Sequence, residues 1–100
     1  MRYDKLVRDK IVEIIESKGD KALYHIATDK EYEKKLKEKL SEEVVEFLEA
    51  ENIEEMADIF EVIDSLLELK GWKYEEIALA QKGKRDERGG FEKRIILEES

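Results

Sequence analysis

Two short carboxylate patterns are the residues best placed to do chemistry: Glu42-Glu43-x-x-Glu46 and Glu55-x-x-Asp58. On a helix, side chains three apart lie about 60° apart, with Cβ atoms roughly 5–6 Å from each other. Each pattern can therefore aim two carboxylates at one point. Phase sharpens the expectation. Glu43 shares a stripe with Leu36, Leu40 and Phe47, and Glu55 shares one with Ile59, Val62 and Leu66. Both stand beside apolar seams, with Glu46 and Asp58 one step farther round. Two charges about 5 Å apart repel by roughly 3 kcal/mol at an effective dielectric near 20. A shared, partly buried site thus requires proton uptake, intruding Lys side chains or a hard cation. Oxygen-only ligation suits Mg²⁺ or Mn²⁺. It does not suit zinc, since the chain has one His and no Cys. The competing reading is a set of edge salt bridges, with Lys39, one turn before Glu43, as partner.

The elements that must position these groups follow from periodicity and caps. Asp4 is suited to cap a first helix over 5–18, with Val7, Ile11, Ile14 and Ile15 on one side and Gly19 past its end. Alternation from Lys21 to Ala27 reads as a short strand. The capping box Thr28-x-x-Glu31 opens a second helix over 29–50, with Tyr32, Leu36, Leu40, Val44, Phe47 and Leu48 apolar. A third helix over 53–70 carries Met56, Ile59, Phe60, Ile63, Leu66 and Leu67, and stops at Gly71. A fourth spans 73–82, followed by a basic, Gly-bearing loop from Lys82 to Gly90. Phe91 to Leu97 is expected to pair with the first strand. The short connection at Ala50–Asn52 makes helices two and three antiparallel neighbours. The expected fold is mainly α, an antiparallel helical bundle with a short two-stranded β element, in one domain over 1–100.

Composition narrows the function classes. The chain has 100 residues, 19 basic and 27 acidic, for a net charge of −8. From Leu40 to Leu69 there are eleven acids and no Lys or Arg, so the remainder is net positive. This balance argues against affinity for nucleic-acid polymers or anionic membranes. Glu42/Glu46, Glu51/Glu55 and Asp64/Glu68 are like-charged at a spacing where repulsion costs a few tenths of a kcal/mol, and a bound cation would offset it. Without Cys there is no disulfide, thiol nucleophile or Fe–S cluster. No apolar run approaches the ~20 residues of a membrane span, and the charged start is unlike a signal peptide. A cytoplasmic protein is expected. Abundant Lys and Glu with one Asn and one Gln is the composition of heat-adapted proteins. A phosphate-binding GxxxxGK[ST] loop and a GxGxxG turn are both absent, and lone His25 supports no catalytic triad.

The two carboxylate motifs resemble the signature of the all-α nucleoside triphosphate pyrophosphohydrolases, the MazG-type superfamily that includes phosphoribosyl-ATP pyrophosphohydrolase. Lys5-Leu-Val-Arg-Asp-Lys-Ile11 and Arg88-Gly-Gly-Phe91 are similar to segments of its small phosphoribosyl-ATP pyrophosphohydrolase-like branch. The matches run in order from Lys5 to Leu97. One departure is Val12, where such proteins often carry Pro. The resemblance implies Glu43, Glu46, Glu55 and Asp58 as Mg²⁺ ligands, with Glu42 as a supporting or additional one. It implies hydrolysis of a nucleoside triphosphate to monophosphate and pyrophosphate, in a homodimer or homotetramer.

Under that expectation, water attacks the α-phosphorus, with Glu46 or Glu42 orienting it or accepting its proton. Cationic donors for the phosphates must come from outside the acidic block. The candidates are Lys5, Arg8, Lys10, Lys39, Lys82, Lys84, Arg85 and Arg88, with Gly89 and Gly90 offering backbone N–H groups. The physiological role is then clearance of non-standard nucleotides. The alternatives are the histidine-pathway phosphoribosyl-ATP enzyme and a non-enzymatic acidic module that binds a partner or an ion.

Overall fold

The computed structural model describes residues 4–100. Four helices follow in order: α1 (Ile11–Ser17), α2 (Asp29–Ala50), α3 (Ile53–Lys70) and α4 (Tyr74–Arg88). The fold is all-helical, as expected for a mainly α protein.

Helices α2 and α3 form an antiparallel hairpin and hold the principal packing contact. Their ends are set by local chemistry. Thr28 accepts a hydrogen bond from the Glu31 N–H at 3.2 Å and opens α2. Glu51 closes α2 in the left-handed conformation, its N–H donating to the Phe47 carbonyl at 2.7 Å. Asn52 then accepts from the Glu55 N–H at 2.8 Å and starts α3. A reversal needing only Glu51 and Asn52 leaves no room for any arrangement but close antiparallel neighbours. Gly71, at φ 72°, ends α3, and the Trp72 N–H reaches back to the Leu67 carbonyl at 3.0 Å. The seam buries Leu36, Ile59 and Val62. At the far end Lys70 bonds Glu33 at 2.5 Å and ties the last turn of α3 to the start of α2.

Three expectations need correction. The first helix begins at Ile11, not near residue 5. The N-cap of α1 is Lys10, not Asp4, which has φ 48° and whose carbonyl accepts from Lys35 Nζ at 2.8 Å. Charge contacts to α2 and α3 draw residues 4–8 out along the hairpin and leave their backbone non-helical. Helix α4 runs to Arg88, well past residue 82. A single Gly inside a helix costs only about 1 kcal/mol, and the Lys, Arg and Glu residues around Gly83 are good helix formers. A Lys82–Asp86 pair at 2.8 Å, four residues apart, adds support.

The third correction concerns the β element. Among the described residues there is no strand: both Lys21–Ala27 and Phe91–Leu97 are irregular, with Leu23 96% and Phe91 97% exposed. Alternating residues supply an apolar face, but an isolated two-stranded pair is marginal without something to pack on. No helix among the described residues is long and apolar enough to cross a membrane.

Candidate metal centre

The hairpin turn brings one carboxylate oxygen each of Glu43, Glu55 and Asp58 within 4.8 Å of one another. Glu43 comes from the buried stripe of α2; Glu55 and Asp58 come from the first two turns of α3. Of the four expected ligands, these three converge. Glu46 lies beside Glu43, close enough to act on its ionisation, without joining the set.

Glu43 is only 6% exposed. Burial first, then the neighbouring Glu46 carboxyl, push its pKa above the ordinary 4.5, while Lys39 pulls the other way. Lys39 Nζ lies 3.4 Å from Glu43 Oε1. The second oxygen, Oε2, has no partner, and neither does the buried Oε2 of Glu55. Leaving a buried polar atom unsatisfied costs about 1–3 kcal/mol, more for a charged group. Two residues with such oxygens, grouped with a third carboxylate, could hold a cation by oxygen alone. The single imidazole is engaged elsewhere: His25 Nε2 lies 2.9 Å from Glu31 Oε1.

Basic groups from the N-terminal segment rim this face. Arg8 Nη2 donates to Asp58 Oδ1 at 2.7 Å, and its Nη1 is 3.9 Å from Glu61. Lys5 Nζ lies 2.7 Å from Glu42 Oε1, which Lys39 also approaches at 3.7 Å. The Lys5 hydrogen bond holds Glu42 below its usual range, and Glu42 raises Lys5 in return. Lys39 and two of the expected N-terminal cations, Lys5 and Arg8, therefore stand at the carboxylates. Lys10 instead sits at the N-cap of α1.

The C-terminal candidates are elsewhere. Lys82, Lys84, Arg85 and Arg88 lie on α4, which does not pack substantially on α2 or α3. Lys82 pairs with Asp86 and Arg85 with Glu92. The Gly89 N–H already donates to the Arg85 carbonyl at 2.8 Å. Sequence reasoning missed Glu61, although it follows Asp58 by three residues and shares its face. It also missed the Lys35 tether to Asp4, for which no local pattern exists.

Comparison with known proteins found no matching family, no similar curated protein and no similar solved structure.

Proposed function

We propose that this chain is a nucleotide pyrophosphohydrolase dependent on Mg²⁺ or Mn²⁺, acting on a nucleoside triphosphate or a related cytoplasmic nucleotide. The observation that carries the reading is the convergence of Glu43, Glu55 and Asp58, with two buried, unpartnered carboxylate oxygens among them. These three residues would hold the ion. When bound, it supplies charge neutralisation for the polyphosphate and Lewis-acid polarisation.

The chain's own residues do the rest. Water adds to the α-phosphorus, the bond to the bridging oxygen breaks, and pyrophosphate leaves with the bridging electrons. The water proton passes to a carboxylate. Glu46 suits this role better than Glu42, which Lys5 holds ionised and engaged. Lys5, Arg8 and Lys39 supply the cationic donors for phosphate oxygens, because they already rim the carboxylates. Lys39 also keeps part of the charge on Glu43 compensated.

The test is product analysis. Purified full-length chain with Mg²⁺ is given ordinary triphosphates, oxidised or deaminated ones, and phosphoribosyl-ATP. Release of monophosphate and pyrophosphate in equal amounts supports the reading, and the preferred member of the panel names the substrate. Absence of pyrophosphate from every member, with either metal, refutes it.

A further inference from the structure

Residues 4–8 run as a strap from α2 to α3, across the side of the hairpin that carries the carboxylates. Its attachments are polar. The Asp4 carbonyl accepts from Lys35 Nζ at 2.8 Å, and Lys5 Nζ lies 2.7 Å from Glu42 Oε1, both partners being on α2. Arg8 then reaches α3, with Nη2 donating to Asp58 Oδ1 at 2.7 Å and Nη1 3.9 Å from Glu61. Little apolar packing adds to this. Leu6 is half-buried and Val7 is 45% exposed. A cavity of about 40 Å³ lies between the strap and Lys35, Lys39 and Glu42. The strap's backbone is in neither helix nor strand, and α1 beyond it packs little on the hairpin.

The two ends of the strap differ in one respect. Asp4 and Lys5 are held by residues outside the converging carboxylates, whereas Arg8 is held by Asp58, a member of that set. The Arg8–Asp58 pair is also exposed, at 56% and 37%, and exposed pairs hold weakly. A divalent ion at Glu43, Glu55 and Asp58 would act on it twice over. It draws on the same carboxylate, and it sets two positive charges beside the guanidinium.

We infer that Arg8 is a latch, closed on Asp58 when no ion is bound and released when one binds, while Lys5 and Lys35 keep the other end of the strap on α2. The inference rests on the proposed ion site and concerns a step before any chemistry. The antagonism is reciprocal: the factor by which the ion loosens Arg8 is the factor by which Arg8 weakens the ion. A polyphosphate that takes up the guanidinium removes that competition, so ion and nucleotide each assist the other's binding. The strap thus makes a site that grips the ion loosely alone and firmly with substrate.

Trypsin reads the latch directly, since it must engage the Arg8 side chain to cut the Arg8–Asp9 bond. Cleavage after Arg94, in the irregular segment that follows α4, is the internal reference. Saturating Mg²⁺ should raise the Arg8-to-Arg94 cleavage ratio of the full chain by about fivefold or more. An ion that merely stabilised the fold would slow cleavage instead. Asp58→Asn should be cut rapidly after Arg8 with or without Mg²⁺. By calorimetry, Arg8→Gln should bind Mg²⁺ more tightly than the parent, by about the factor seen in the cleavage ratio. Should Arg8→Gln fail to fold, the ratio in the parent decides. Mg²⁺ bound by calorimetry with an unchanged ratio overturns the latch and leaves the ion site standing. No Mg²⁺ bound by either protein overturns both.

Discussion

Glu43 carries opposite consequences for stability and for ligand binding. Its raised pKa means that the folded chain binds a proton more readily than the unfolded chain does. Stability without divalent metal should therefore rise as pH falls through that raised value, and level off below about 4.5, where both states are protonated. Glu43→Gln should stabilise the metal-free protein at neutral pH by about 1 kcal/mol, an advantage that fades in acid. Thermal unfolding in chelator across pH checks the sign. The same variant, and Glu55→Gln and Asp58→Asn, should lose divalent-ion binding by calorimetry and at least 100-fold in turnover. Arg8 has the reverse profile. Its guanidinium occupies Asp58 Oδ1, so Arg8→Ala should tighten Mn²⁺ binding several-fold while raising KM for the nucleotide. Convergence of the three carboxylates was readable from helix phase, because Glu43 and Glu55 share stripes with buried Leu36 and Ile59. The Arg8–Asp58 pair was not. Fifty residues separate its members, and no periodic pattern spans that distance.

Among the elements, α2 and α3 were legible to the residue because several signals agree: apolar stripes, the Thr28 capping box, the break at Ala50–Asn52, and Gly71 at a left-handed stop. Where one signal stood alone it misled. Alternation over Lys21–Ala27 had no partner edge, and Gly83 was read as a boundary although its helical neighbours outweigh it. Two substitutions test these energetics. Gly83→Ala should increase helix content and stabilise α4 by about 1 kcal/mol, since nothing lies within 4 Å of the added Cβ. Asn52→Ala removes the N-cap of α3 and should cost about 1 kcal/mol, read as an earlier midpoint in urea. Because Glu55 is both the donor to that cap and a ligand of the proposed ion, Asn52→Ala should also weaken Mn²⁺ binding measurably.

Across the whole molecule, dimensions of 58 × 31 × 23 Å describe an open arrangement in which α1 and α4 pack little on the central hairpin. The two-residue reversal at Glu51–Asn52 has a wider consequence. Everything proposed to grip the ion lies within 16 positions of chain, from Glu43 to Asp58. The grip is thus built by one local bend, trimmed by Arg8 from the N-terminal segment and owing little to α4. In the proposed reading, α4 can therefore be lengthened or cut back without disturbing the carboxylates that hold the ion.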